Sequence, residues 1–534
     1  MKRIIALLGA AALLLTGCGK SEKVPKNQAP EGKAVSISLS DTVITVDGAA
    51  VSENPSEAVY TARDIVYYPA GQDFTYGEAE EGEAHEAAEA EAHTVVHITK
   101  PGLYAVSGKL SKGQIAVDLG ENAAVDPNAV VTLILNGAEI TCSVAPAVIF
   151  YNVYECGSME NPTWDVDTSA AGANVWIADR TENRVTGTYV ARIYAPDSVV
   201  LSEDGTEVAD YSTLHKYDGA FYSCMSMNLG GNDGILQIDA ANEGLDSEMH
   251  LTINGGDIRI KSGNDGINTN EDGVSVAAIN GGSLSVTVTG ETGEGDGIDS
   301  NGWLVINGGT LTAAACGASQ DAGIDSDMGI YLNGGTLAAS GHMLDQIAGS
   351  SASYAVFTFA DTQSGGSVYM LKDQKDKTAV SIKPANDFSV LVVSSPDLQP
   401  GDYSFWRGET RLAGAAGQAF GGMGGMMPPG GFENMERPEG MERPEGMEHP
   451  EGMEHPEGME RPGGMERPEG MPGAEGGASG GFESMTPPER MERPEGMQRP
   501  EGMGRFDQMT AGETSEVFHL DQGANFFSFV SPAA

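Results

Sequence analysis

Two short phrases alternate through the middle of this chain, and their fixed spacing leaves few folds open. The first reads EGLDSE at Glu243–Glu248, NDGINTN at Asn264–Asn270, GDGIDSN at Gly295–Asn301 and DAGIDSD at Asp321–Asp327. The second, NGG, begins at Asn254, Asn280, Asn307 and Asn333, so successive copies stand 26, 27 and 26 residues apart. A fixed period of about 20–50 residues marks a solenoid. Each unit holds short alternating strands (LTING, GDIRIKS, SLSVTVTG, TLTAAA) broken by Gly and Asn turns, with no room for a helix. The pattern predicts an all-β chain, a β-solenoid with one coil per repeat.

The repeat carries chemistry as well as fold. In stacked coils equivalent residues lie about 4.8 Å apart, the ordinary strand spacing, and side chains alternate between the two faces. With Leu245, Ile267, Ile298 and Ile324 pointing inward, Asp246, Asn268, Asp299 and Asp325 point outward. Two positions on, the same outer face carries Glu248, Asn270, Asn301 and Asp327. Carboxylates about 5 Å apart repel by roughly 3 kcal/mol at an effective dielectric near 20. Nothing basic lies within these phrases to neutralise them. A hard cation turns that repulsion into coordination, and Ca²⁺ takes about six to eight oxygen ligands of this kind. Asp and Asn also favour tight corners because they tolerate left-handed backbone, so a structural role for each single residue stays open.

The N-terminus reads as a targeting segment. Lys2 and Arg3 precede a short apolar run, Ile4–Leu15, too short for a stable membrane span. It ends in Leu15-Thr16-Gly17-Cys18, which is similar to the bacterial lipobox. Residues 1–17 are therefore expected to be a lipoprotein signal peptide, with Cys18 carrying lipid. Two acyl chains anchor more firmly than one, which places the rest on the extracytoplasmic face of the cell membrane. Cys142, Cys156, Cys224 and Cys316 lie far apart without CxxC spacing, so no zinc site is indicated. Disulfides and buried thiols both remain open for them. The 77 acidic against 30 basic residues give a formal net charge of −47. That balance argues against nucleic acid and anionic lipid headgroups as partners.

Residues 18–33 read as a tether, and the ordered body is expected over 34–412. Within it, EAEEGEAHEAAEAEAH (78–93) reads as an acidic insert, a solvated charged loop even though it holds His85 and His93. Regular coils are expected from about 225 to 340. Longer non-repeating strands over about 354–408 read as the cap that an open solenoid end needs. From 420 to 505 the hexad M-E-R/H-P-E-G recurs, with Pro and Gly in each copy and no β-branched core. That composition predicts a disordered Met/Glu/Pro/Gly-rich tail. The last stretch, 506–534, regains strand character at EVFHLDQGANFFSFV and reads as an added strand returning to the body.

Several of these segments together resemble a bacterial carbohydrate-binding parallel β-helix lipoprotein family. They are GLYAVSGKLSKGQIAVD (102–118), LILNGAEI (133–140), DGAFYS (218–223), the alternating DGI and INGG phrases over 254–335, and the strand set over 392–408. The likeness spans about 34–412, inserts excepted. It implies a right-handed parallel β-helix, a polysaccharide-lyase-like fold, calcium along the coils, and binding of cellulose or acidic plant polysaccharide. By position, the family's calcium-liganding phrase falls on Glu243, Asp246, Asp265, Asn268, Asp296, Asp299, Asp321 and Asp325. Glu243 and Asn268 depart from Asp, and Ala322 replaces a polar residue, so affinities are expected to differ between coils.

Three functions compete. The first is a non-catalytic lipid-anchored surface protein that binds acidic or cellulosic polysaccharide with Ca²⁺. A bound cation inverts the local charge logic and lets an acidic protein hold a uronate chain. The second is a calcium-dependent polysaccharide lyase, which needs a base beside the metal. The basic candidates in the regular repeats are Arg259, Lys261 and His250. The third is a structural adhesin or spacer. The sequence favours the first and assigns no catalytic residue.

Overall fold

The computed structural model describes residues 27–80, 82–417 and 514–529. The lipobox at Cys18, most of the tether and the Met-rich hexads lie outside the described residues. Among those described, no helix is long and apolar enough to cross a membrane.

The chain is all-β. Apolar and polar residues alternate along short strands, for example SLSVTV at Ser283–Val288, where Leu284, Val286 and Val288 are buried and Ser283 and Ser285 exposed. Three parallel ladders carry the repeats. One stacks Leu251–Ile253, Val276–Ile279, Trp303–Ile306 and Gly329–Leu332. A second stacks Glu182–Gly187, Ile235–Ala240, Asp257–Ser262, Ser283–Val288, Thr310–Ala314 and Thr336–Gly341. A third stacks Gly219–Ser223, Glu243–Ser247 and Ile267–Thr269, and Ile298 extends it through a parallel bridge to Ile267. Leu245, Ile267, Ile298 and Ile324 all point into the common core, at most 2% exposed.

The expected right-handed parallel β-helix with its cap requires correction. The sheets are mixed, parallel and antiparallel, and no closed or solenoid sheet forms among the described residues. The reason lies at the two ends of the ladders. Parallel pairing continues beyond the regular repeats, as between Gly102–Leu110 and Val131–Thr141, but at the ends neighbouring strands turn back on one another. Val35–Leu39 pairs antiparallel with Thr45–Val46, and Val59–Ala62 with Thr94–Ile98. At the other end Phe388–Ser394 runs antiparallel to both Thr336–Gly341 and Tyr354–Gln363.

That C-terminal portion has its own aromatic core. Phe357 and Phe405 stack at 4.2 Å, and Phe359 and Phe529 at 5.2 Å. Ala524–Phe529 supplies Phe529 by pairing parallel with Tyr354–Gln363, so the last described segment does join the body as a strand.

The NGG phrase has a steric origin. Its first glycine meets the previous repeat: a Cβ on Gly308 would sit 2.5 Å from the Asn280 carbonyl oxygen. Its second glycine is left-handed, with φ of +82° at Gly282 and Gly309, a region that costs L side chains. The asparagines form an amide ladder, Asn280 donating to Asn254 (2.9 Å), Asn307 to Asn280 (2.8 Å) and Asn333 to Asn307 (2.9 Å).

The acidic insert is not a free solvated loop. It forms a short helix, Ala87–Ala90, and then buries His93 completely. A His93 ring nitrogen accepts from the Ser143 amide at 3.2 Å, and burial lowers the ring's pKa, favouring the neutral form that can accept. Glu78 and Glu83 bond Tyr194 and Tyr189. The four described cysteines Cys142, Cys156, Cys224 and Cys316 are free thiols.

Candidate cation site and the carbohydrate-binding family

The third ladder positions the acidic phrases. In its strand register Tyr222, Asp246 and Asn268 stand in one file, and the Ile267–Ile298 bridge carries that file to Asp299. This follows from the alternation, since each of the last three succeeds a buried aliphatic residue. Outward, however, does not mean solvated here. Asp246 is 0% exposed, Glu243 5% and Asn268 8%.

At this end the Asn268 amide donates to Glu243 Oε1 at 3.1 Å, and the Asn270 amide to Asp246 Oδ1 at 2.7 Å. The remaining oxygens, Glu243 Oε2, Asp246 Oδ2 and Asn268 Oδ1, are buried without a hydrogen-bond partner. Buried polar atoms are normally paired, and an orphaned one costs about 1–3 kcal/mol, more when charged. Burial, followed by carboxylate neighbours, raises the pKa of Glu243 and Asp246 far above the ordinary range. Burial and the negative charge of Glu243 do the same to Asp265.

A second group lies further along the row. One carboxylate oxygen from each of Asp296, Asp299 and Asp325 falls within 4.8 Å of the others. Burial first, and Asp325 next, push Asp296 up to about 9; burial and Asp345 push Asp325 up to about 7.

The eight residues singled out from sequence therefore divide. Glu243, Asp246 and Asn268 converge at one end of the row, and Asp296, Asp299 and Asp325 at the other. Asp265 lies between them and accepts the Asp296 amide at 2.6 Å, while Asp296 accepts the Ala322 amide at 2.5 Å. Asp321 is placed differently. Its carboxylate accepts from the Gly295 amide at 2.7 Å and from the Ser319 hydroxyl, tying one repeat to the next.

Reading the phrases alone misses Lys216. It sits at the end of the hairpin strand Thr213–Tyr217, with its ammonium on the Asp218 carboxylate. Although burial opposes the charge, Asp218, Glu243 and Asp246 outweigh it and raise the lysine's pKa. Lys216 is thus a fixed positive charge beside the first group. The signal is present as KYDGAFYS, where the lysine precedes an imperfect copy of the acidic phrase. Tyr222 is also missed; its hydroxyl donates to Glu248.

None of the basic residues singled out from sequence stands on this row. Arg259 and Lys261 project from the second ladder. His250 is 2% exposed and pushed down to about 4 by burial, so it is neutral at pH 7.

The chemistry of the row is uniform: oxygen donors, negative or carbonyl-like, partly stripped of water. Such a set suits a hard divalent cation and not a soft or redox metal. The model of the family described as carbohydrate-binding domain-containing protein matches residues 92–385. The chain belongs to that family. The matched span contains all three ladders and the whole acidic row. Among solved structures, the polysaccharide lyase-like protein from C. thermocellum (a gadolinium derivative) is 20% identical, over 56% of this chain and 91% of that one, with a TM-score of 0.32. No curated protein matches the chain. Membership of the carbohydrate-binding family supports polysaccharide binding in general.

Proposed function

We propose that this protein is a non-catalytic, lipid-anchored surface protein that binds acidic or cellulosic polysaccharide and holds Ca²⁺ in its acidic row. The observation that carries the cation is the set of buried, unpartnered oxygens on Glu243, Asp246 and Asn268. The Asp296, Asp299 and Asp325 group supplies a second position with the same donor chemistry. Bound Ca²⁺ would neutralise carboxylates that otherwise repel one another, and would lock successive repeats together.

Family membership supports the polysaccharide, and the LTGC phrase at Cys18 supports the anchor. The non-catalytic reading rests on the site's own charges. A lyase base must be neutral to take a proton, whereas Lys216, a basic group beside the row, is held protonated by its carboxylate neighbours.

A glycan array probed with the full chain in millimolar Ca²⁺ and in EDTA tests the reading. Binding that requires Ca²⁺ is expected. Binding indifferent to EDTA would break the link between cation and glycan, and absorbance from an unsaturated product would replace the binding protein with a lyase. Membrane fractionation tests the anchor: Cys18→Ala is expected to leave the precursor uncut or release the protein, and unchanged partition would remove the lipid from the reading.

A further inference from the structure

The outer side of the second ladder differs from its neighbours. On the adjoining ladder the outward residues Trp303, Val305 and Tyr331 are packed over by Trp164 and Val166, with Trp164 and Tyr331 stacked at 4.7 Å. The third ladder carries the acidic row. On the second ladder, register sets Arg184, Gln237, Arg259, Ser285 and Thr312 in one file across five strands. A parallel file beside it holds Asp239, Lys261 and Thr287. Arg184, Arg259, Lys261, Ser285 and Thr312 are exposed. A shallow depression of about 270 Å³ lies at the centre, lined by Gln237, Asp239, Arg259, Lys261, Ser285 and Thr287.

We propose that this face is the glycan-binding surface and that its ligand is a carboxylated polysaccharide, a polyuronate, with Arg259 and Lys261 receiving the carboxylates. The proposal rests on the polysaccharide-binding reading above and adds to it the face that binds, whose charges favour the acidic of the two glycan classes already proposed.

Charge selects the ligand. Arg259 and Lys261 are the only Arg or Lys residues between 225 and 340, in a chain whose formal charge is −47. They share one strand and one facing. Lys261 makes no ion pair among the described residues. Arg259 is held by Asp257 through Nε (3.0 Å) and Nη2 (2.6 Å), and half its side chain remains exposed. That pair fixes the guanidinium while its Nη1 donors have no protein acceptor among the described residues. A guanidinium held in place loses less freedom when it takes a second carboxylate, and its planar fork suits one. Arg184 is held in the same way by Asp239.

Geometry selects an extended polymer. Each step between strands is about 4.8 Å, comparable with the length of one pyranose. A chain lying across the strands meets an amide, a guanidinium and then hydroxyls at Gln237, Arg259 and Ser285. The neighbouring file offers Lys261 and then Thr287. Hydroxyls and amides both donate and accept, as sugar hydroxyls require. The central depression has no aromatic platform, so affinity must come from many weak polar contacts along one chain. Such contacts are screened by salt.

Calorimetric titration of the full-length protein in Ca²⁺ with polygalacturonate oligomers, and in parallel with cello-oligosaccharides, tests this. Polygalacturonate is expected to bind, more weakly at high salt. The Arg259→Ala/Lys261→Ala double variant should lose at least tenfold in affinity, and Lys261→Glu alone should lose several-fold. Lys375→Ala/Lys377→Ala, on exposed lysines outside the ladder, should bind as wild type. All four side chains are exposed, so folding is expected to survive and is checked by melting. Wild-type affinity in the double variant overturns the assignment of the face. Binding of cello-oligosaccharide alone overturns the polyuronate while leaving polysaccharide binding intact, and binding of neither overturns both.

Discussion

The Asn268 amide donates to Glu243 Oε1 at 3.1 Å, joining two strands of the acidic row and leaving Glu243 Oε2 and Asn268 Oδ1 buried and unpartnered. With Asp246 Oδ2 beside them, the first cation position is defined by atoms that want a positive charge. Ca²⁺ binding only the folded protein stabilises it by RT ln(1 + [L]/Kd), about 2.7 kcal/mol at a hundredfold excess over Kd. Asp246→Asn should therefore have opposite effects in two media. In EDTA it removes a buried carboxyl that must either repel its neighbours or hold a proton at a cost, and should raise the melting temperature. In millimolar Ca²⁺ it removes a ligand and should lower it relative to wild type. Melts of both proteins in both media decide the matter, and a variant that shifts the same way in each would show that Asp246 does not hold the cation.

The raised carboxylates give a pH dependence with a definite sign. Asp296 and Asp325 are pushed up to about 9 and about 7 in the fold, Glu243 and Asp246 upward as well. In an unfolded chain such groups lose their protons near pH 4. The folded state thus holds protons that the unfolded state has shed, and stability must fall as pH rises between those limits. In EDTA, urea midpoints are expected to be highest near pH 4–5 and to decline through about pH 9. Saturating Ca²⁺ should flatten the decline by replacing the protons. Asp296→Asn/Asp325→Asn should flatten part of it without metal, and an unchanged slope in that variant would remove these groups from the account.

Much of the fold and of the acidic row is legible in the sequence alone, and the limits have physical causes. Alternation places Leu245, Ile267, Ile298 and Ile324 inside, because a two-residue period leaves no other choice for a buried aliphatic. Aligning the phrases also shows Ala322 at the register of Asp296, which puts Asp321 one position off and into a backbone contact. A parallel β-helix over the whole body asks too much of the repeat. The repeat speaks only for 225–340, and pairing direction at the ends is set by turns without any repeat. The burial of Asp246 and the approach of Lys216 are hidden because the lysine stands ahead of the imperfect copy DGAFYS, about one repeat before the first acidic phrase, and spacing alone does not show which way its side chain points. His93 looks solvated from sequence because its acidic, alanine-rich neighbours resemble a loop, whereas Ser143, 50 residues away, holds its ring.

The asparagine ladder predicts a graded response. Asn280 bonds at both ends, donating to Asn254 and accepting from Asn307, while Asn333 closes one end. Asn280→Ala strands an acceptor on one side and a donor on the other. Losing an intramolecular hydrogen bond costs about 0.5–1.5 kcal/mol net, and least at Asn307, which is exposed to water. Asn333→Ala breaks one bond only and should cost less. Urea denaturation of the two variants should rank them in that order; equal midpoints would mean that water replaces the lost amides and that the ladder contributes little.

Gly308 and Gly309 share one phrase but should fail for different reasons when replaced. A Cβ at Gly308 would stand 2.5 Å from the Asn280 carbonyl oxygen, which belongs to the preceding repeat and cannot retreat without moving its strand. Gly308→Ala should therefore push two repeats apart and weaken their shared ladder. Gly309 has φ of +82°, and an alanine there meets its own backbone first. Left-handed backbone costs a residue with a Cβ about 1–2 kcal/mol, and a Cβ at Gly309 would also stand 2.9 Å from both the Gly281 carbonyl carbon and the Gly282 oxygen. Asn tolerates that conformation better than Ala. Gly309→Asn should thus recover part of what Gly309→Ala loses, whereas Gly308→Asn should recover nothing. Melting temperatures of the four variants separate the two causes. Rescue by Asn at both positions would show that backbone strain alone accounts for the phrase and that contact between repeats does not.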